Sequence, residues 1–102
     1  MAFCNDILEY YLAMDDLQDL RYEINEIDNQ IFSLLTQRLS VINSISLVKK
    51  QQSLPILDKN REDNIYNRID SSYEGRNGLY LKDIYKTVMN ESKRVQKENL
   101  RL

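Results

Sequence analysis

An unbroken heptad spacing in the first half of the chain limits its possible folds more than any other feature. Successive positions lie three and four residues apart in alternation, and nine of the ten are aliphatic: Leu17, Leu20, Ile24, Ile27, Ile31, Leu34, Arg38, Val41, Ile45 and Val48. We call these ten positions the seam. The spacing predicts one long helix, running to about Gln52, whose seam faces a partner helix.

The length of this helix predicts an oligomer. About 35 residues extend ~50 Å at 1.5 Å per residue, whereas a compact domain of about 100 residues has a radius of gyration near ~13 Å. The other half of the chain cannot cover so long a rod, so we expect the seam to be buried in an intertwined homodimer. A monomeric bundle with a kinked long helix is the alternative, but no glycine or proline interrupts the seam.

The long helix is expected to begin near Asp15 and Asp16, because negative charge is favourable at a helix N-terminus. The residues before it show only a weak amphipathic pattern. We therefore assign residues 1–16 to an N-terminal extension of unknown role and residues 17–102 to the functional domain. The length and the initial methionine suggest a stand-alone protein.

Two more helices complete an all-α prediction of three helices per chain, one of them very long. Pro55 disfavours helix at the residue before it and ends the first helix. Asp58 is a good N-cap for the second helix. A polar turn is expected at 71–78, and a third helix from about 81 to 98.

The composition excludes several kinds of function. A net charge of −2 over 102 residues argues against a nucleic-acid or membrane surface. The chain has no histidine, and its single cysteine, Cys4, fits a reducing cytoplasm. No metal-ligand cluster, phosphate-binding glycine loop or signal peptide is present, and no stretch approaches the ~18 apolar residues of a membrane span. An enzyme of this kind would work without a metal or a cofactor.

Polar residues nevertheless interrupt the apolar face of each predicted helix. Arg38 lies in the seam, and burying a guanidinium is costly unless an anion meets it. The other interruptions, in chain order, are Lys49, Asp58, Arg61, Glu62, Ser92 and Gln96. Each has an ordinary structural explanation alone, such as an ion pair, a solvated helix end or an N-cap. Their coincidence on three helices indicates a site for a small anion.

The segments that carry these residues resemble the all-helical, type II chorismate mutases. They are LRYEINEIDNQIFSLLTQR (20–38), the lysine at 49, PILDKNRE (55–62) and ESKRVQ (91–96), with matching spacing over about 17–98. The family signature has eight polar positions, all present here: Arg21, Arg38, Lys49, Asp58, Arg61, Glu62, Ser92 and Gln96. The resemblance implies the conversion of chorismate to prephenate, in phenylalanine and tyrosine biosynthesis, by a three-helix protomer in an intertwined dimer.

The resemblance also implies how the substrate is bound. Arg38 would pair with one substrate carboxylate, and Arg21 of the other subunit with the second. The spacing supports such a shared site, because Arg21 and Lys49 are 28 residues apart, or ~42 Å along a straight helix. One small molecule cannot touch both on one chain, whereas antiparallel pairing brings them together.

The remaining signature residues would hold the reacting part of the substrate. Lys49 and Gln96 would donate to the ether oxygen. Glu62 would accept a hydrogen bond from the ring hydroxyl, helped by the backbone near Asp58. The rest of the polar wall would be Arg61 and Ser92.

Three other functions remain open from the sequence. An isochorismate-pyruvate lyase on the same scaffold would bind a similar dianion, although Glu62 and Asp58 beside the ring hydroxyl favour the mutase. A non-catalytic helical dimer that binds an aromatic acid would not require donors to the ether oxygen. A plain coiled-coil adaptor would leave the inward polar residues unexplained.

Overall fold

The computed structural model describes the backbone of residues 2–101 and the side chains of residues 7–9 and 16–101. In chain order the elements are α1 (Ala2–Gln52), α2 (Lys59–Ser72) and α3 (Gly75–Leu100). The all-α prediction is confirmed, and the described residues contain no strand. The side chain of Cys4 lies outside the described range. The chain divides into two compact units, of which the first ends at Gln37 and the second begins at Arg38.

The start of α1 differs from the prediction and its end agrees with it. The helix begins at Ala2, so the start expected near Asp15 and Asp16 is wrong. Acidic residues are tolerated inside a helix as well as at its N-terminus, and they did not mark a boundary here. The helix ends at Gln52 as predicted. Ser53 then takes a left-handed φ of 55° and breaks the helical path.

The first unit presents an apolar face to its surroundings. The six seam side chains in this unit are between 45% and 62% exposed. They are Leu17, Leu20, Ile24, Ile27, Ile31 and Leu34. A contiguous apolar face of this kind is typical of a surface that binds another protein.

In the second unit, α2 and α3 pack against each other through a small apolar core. Asp58 caps α2, because its side chain accepts a hydrogen bond of 3.0 Å from the backbone N–H of Arg61. The apolar face of α2 supplies Ile65 and Ile69, which are buried with Met89 of α3. The partly buried side chains around this cluster are Tyr66, Leu81 and Tyr85.

The turn between α2 and α3 is shorter than predicted. Only Tyr73 and Glu74 lie between the two helices, so the expected polar turn at 71–78 is wrong. Gly75 opens α3 with a φ of +63°, a conformation that favours glycine. Gly78 is buried directly against the backbone of Tyr73. The two glycines therefore allow a tight turn and a close approach instead of extending the loop.

On its solvent face, α3 is supported by side-chain pairs one turn apart. Arg94 Nε donates to Glu91 Oε2 at 2.7 Å, and Arg94 Nη1 lies 3.2 Å from Glu98 Oε1. The hydrogen bond with Glu91, followed by the charges of Glu91 and Glu98, raises the pKa of Arg94. Because these groups are exposed to solvent, the pairs contribute only weakly to helix stability.

Part of α1 is apolar enough to cross a membrane by length and composition alone. The stretch Asp16–Gln52 contains an 18-residue window of mean hydropathy 1.4, of which 11% is buried. The expectation that no stretch approaches a membrane span is therefore wrong on this measure. A helix that buries its apolar face against protein passes the same test, and Arg38, within this stretch, would be costly in hydrocarbon. The finding is weak evidence for a membrane location.

Candidate functional site

A pocket of about 360 Å³ opens in the second unit between the end of α1, the α1–α2 connection and α2 and α3. Seven of the eight signature residues line it: Arg38, Lys49, Asp58, Arg61, Glu62, Ser92 and Gln96. The eighth, Arg21, belongs to the first unit. The apolar wall of the pocket consists of Val41, Ile42, Ile45, Ile56, Ile65 and Met89. The combination of apolar walls with a few convergent polar groups is typical of a small-molecule site.

Lys49 is fixed at the end of α1 by two hydrogen bonds. Its Nζ donates to the backbone carbonyl of Ile56 at 2.8 Å and to Gln96 Oε1 at 2.9 Å. An ammonium group has three N–H donors, so one is left for a ligand in the pocket. The loop carbonyl and the glutamine thereby hold the charge of Lys49 at a defined position.

Gln96 contributes a second donor next to Lys49. The side chain is only 5% exposed, its Oε1 accepts from Lys49, and its Nε2 donates to the backbone carbonyl of Ser92 at 3.3 Å. The bond from Lys49 assigns the oxygen of the amide to Oε1, because an ammonium only donates. The other N–H of Nε2 is then available to a ligand. Two donors from two helices therefore converge on one part of the pocket.

Arg38 is held in place by groups on α3. Its Nη1 donates to Ser92 Oγ, and Ser92 Oγ in turn donates to the carbonyl of Val88 at 2.8 Å. The guanidinium carbon lies 5.8 Å from the centre of the Tyr85 ring, within the range of a cation–π contact. A guanidinium has five N–H donors. The bond to Ser92 uses one of them, so the others remain able to bind a carboxylate.

The acidic side of the pocket lies on α2. Asp58 accepts from the backbone of Arg61 as the N-cap, and Arg61 Nη1 donates to Asn64 Oδ1 at 3.4 Å. Glu62 forms an ion pair of 2.8 Å with Lys93 of α3. The capping role of Asp58 explains its presence structurally, whereas Glu62 lines the pocket together with its ion-pair partner Lys93.

Lys93 is a pocket residue that the sequence analysis missed. It lies four residues after Met89 and three before Gln96, so it shares their helical face. That spacing was the available signal, but a lysine on a helix is more often a solvated surface side chain. With Lys93 included, the lining has four cationic and two acidic side chains, a net charge of +2. This arrangement can bind a small dianion and can stabilise negative charge that develops beside Lys49 and Gln96.

Comparison with known proteins agrees with the sequence signature. The family model described as chorismate mutase type II matches residues 20–97. The chorismate mutase of Methanocaldococcus jannaschii is 32% identical over 90 residues, which cover 85% of this chain and 90% of that protein. The T-protein of Haemophilus influenzae is 31% identical over 81 residues, which cover 78% of this chain but only 22% of the longer relative.

A solved structure has the same fold and includes a small molecule. It is the Helicobacter pylori chorismate mutase in complex with prephenate, which superimposes with a TM-score of 0.74 at 34% sequence identity. The alignment covers 83% of this chain and 93% of that one. Fold, signature residues and family model therefore agree, and the chain belongs to the type II chorismate mutase family.

Proposed function

We propose that this protein catalyses the rearrangement of chorismate to prephenate as an isomerase of aromatic amino acid biosynthesis. The observation that carries the proposal is the 2.9 Å hydrogen bond from Lys49 Nζ to Gln96 Oε1, which holds an ammonium and an amide group side by side in a pocket of net charge +2. The reaction breaks the ether C–O bond and forms a C–C bond in one pericyclic step. No proton is transferred and no covalent intermediate forms, so neither a general base nor a nucleophile is required.

The residues of the pocket match the two contributions that such a reaction needs. The first is orientation, because the enolpyruvyl group must lie over the ring in a reactive chair. Arg38 would hold one carboxylate, and Glu62 would accept a hydrogen bond from the ring hydroxyl near the backbone of Asp58. The polar wall would be completed by Arg61 and Ser92.

The second contribution is electrostatic. Negative charge grows on the ether oxygen as the C–O bond lengthens, and prearranged donors at that oxygen lower the barrier. The unassigned N–H groups of Lys49 and Gln96 would supply those donors. Because the ammonium and the amide are already fixed by Ile56 and Ser92, little reorganisation would be needed at the transition state.

A homodimer would complete the site. The exposed seam of the first unit supports this part of the proposal, since six aliphatic side chains with this spacing are typical of a helix–helix interface. In an antiparallel pair, Arg21 of one subunit would bind the second carboxylate of the substrate held by its partner. Residues 17–102 would form the catalytic domain, with residues 1–16 as an extension, and the single cysteine suits a reducing cytoplasm.

The direct test follows the loss of chorismate absorbance with purified protein. We expect prephenate as the product, identified by acid conversion to phenylpyruvate and its absorbance. An assay with isochorismate tests the lyase on the same scaffold, because that activity would release salicylate and pyruvate. Salicylate formation without prephenate would replace the mutase proposal with the lyase. Binding of chorismate without turnover would favour a non-catalytic module.

A further inference from the structure

We propose that Lys93 is a positioning residue, which holds the Glu62 carboxylate in the orientation that accepts a hydrogen bond from the substrate's ring hydroxyl. This inference rests on the proposed mutase function. It concerns a residue outside the eight-position signature, and it assigns to that residue a part in substrate recognition through Glu62.

The geometry of the pair supports this role. Lys93 Nζ lies 2.8 Å from Glu62 Oε1, and the two side chains are 26% and 25% exposed. Both line the pocket. A partly buried ion pair is screened less than a fully exposed one. The bond occupies Oε1 and restricts rotation of the carboxylate, so Oε2 is the oxygen left to meet a hydroxyl group.

Lys93 also compensates the negative charge of Glu62. A carboxylate in a site for a dianion repels the ligand unless a cation lies beside it. Without Lys93 the lining would have three cationic and two acidic side chains, a net charge of +1 instead of +2. Lys93 therefore allows the site to keep an acidic acceptor for the hydroxyl while it still attracts two substrate carboxylates.

The chain provides a matched control in the same pair of helices. Lys82 of α3 forms an ion pair of 2.7 Å with Asp70 of α2, with side chains 31% and 55% exposed. Neither residue lines the pocket. Lys82→Met thus removes one ion pair between α2 and α3, as Lys93→Met does, but leaves the site untouched.

A double-mutant cycle tests the proposal with four proteins: wild type, Lys93→Met, Glu62→Gln and the double variant. We expect Lys93→Met to lower kcat/KM roughly tenfold, corresponding to ~1.4 kcal/mol. Most of the change should lie in KM, because the hydroxyl contact exists in both ground and transition states. In the Glu62→Gln background the same substitution should cause a clearly smaller loss, because no carboxylate remains to be oriented and only the attraction of one positive charge for the dianion is removed. Lys93→Arg should restore most of the loss, and Lys82→Met should show none.

Equal losses from Lys93→Met in both backgrounds would overturn the proposal, because Lys93 would then act independently of Glu62. A loss reproduced by Lys82→Met would also overturn it and would indicate a structural role. The same cycle can be measured without turnover by titration calorimetry. The ligand is an oxabicyclic dicarboxylate, which mimics the rearranging substrate and carries the hydroxyl group. A different result is that the wild type binds the mimic without turning over chorismate, with coupled effects of the Lys93 and Glu62 substitutions on binding. That result would refute the mutase function and retain the role of Lys93. Absence of both turnover and binding would refute both.

Discussion

Lys49 has a donor environment that no neighbouring lysine shares. Two of its N–H groups are taken by Ile56 and Gln96, and the third is left for the pocket. Lys50, the next residue, is exposed and lies outside the pocket. The two lysines therefore form a natural test and control.

We predict that Lys49→Ala lowers kcat at least ~100-fold, because loss of one well-placed donor costs about 3 kcal/mol of barrier. Steady-state kinetics on chorismate measures the effect, and thermal unfolding by circular dichroism checks that the variant is folded. Lys50→Ala should have wild-type kinetics. Turnover near the wild-type rate in Lys49→Ala would refute the catalytic role of this lysine.

The amide of Gln96 leads to a prediction about pH. An amide does not titrate, so we expect the wild type to show no steep rise in rate below neutral pH. In Gln96→Glu the carboxylate is ionised at neutral pH, since the ordinary pKa of glutamate is about 4.3. It cannot then donate to the ether oxygen.

Activity of Gln96→Glu should therefore be low at neutral pH and increase as the pH falls and the carboxyl group becomes protonated. Profiles of kcat/KM against pH for both proteins measure the difference. An acid-activated wild type, or a variant with a flat profile at the wild-type level, would contradict the assignment of Gln96 as a donor.

The sequence predicted which side chains donate hydrogen bonds in the site, but not the groups that hold those side chains in place. Arg38, Lys49 and Gln96 could be recognised because charged or amide side chains on apolar helical faces are unusual. The carbonyl of Ile56 could not be recognised from the sequence, because every residue type has a backbone carbonyl. Lys93 was missed for a related reason: the ion pair that brings it into the pocket depends on the packing of α2 against α3.

Among the elements, the α2–α3 turn depends most on one residue. Gly78 is buried in the first turn of α3, and a Cβ atom built there meets the carbonyl of Tyr73. The atom in the way belongs to the backbone, which cannot rotate aside. Asn77, its exposed neighbour in the same turn, has no such constraint.

We predict that Gly78→Ala destabilises the protein by ~1–3 kcal/mol, as expected when a methyl group is forced into a packed site. Chemical denaturation followed by circular dichroism measures the change in the free energy of unfolding. Asn77→Ala should be within ~0.5 kcal/mol of wild type. A Gly78→Ala protein as stable as wild type would show that α3 can move away from Tyr73.

The elements also show where sequence signals were sufficient and where they were not. The end of α1 and the cap of α2 follow from Pro55 and Asp58, which act through local sterics and hydrogen bonds. The start of α1 and the length of the α2–α3 turn were predicted wrongly. Polar residues and glycines are compatible with both a helix end and a helix interior, and only packing distinguishes the two.

For the whole molecule, the proposed dimer leads to a complementation experiment. Arg21→Ala and Lys49→Ala should each inactivate both shared sites. In a mixed dimer, one site combines the intact Lys49 of one subunit with the intact Arg21 of the other. Random exchange makes about half of the dimers mixed, and each has one site of two.

We therefore predict that an equal mixture of the two variants recovers about a quarter of the wild-type activity, since half of the dimers have half of their sites intact. The assay is run on the mixture after subunit exchange has been verified by mass spectrometry of tagged chains. Either variant exchanged with itself is the control and should remain inactive. Verified exchange without recovered activity would refute the shared site.

The bond from Lys49 to the carbonyl of Ile56 has a consequence for how this enzyme can be altered. The acceptor is a main-chain atom, so no amino-acid exchange at position 56 deletes it, while the isoleucine side chain still forms part of the cavity wall. Position 56 is thus open to randomisation in a search for new substrates, whereas insertions or deletions in the loop that contains it would disturb the ammonium group and with it the chemistry.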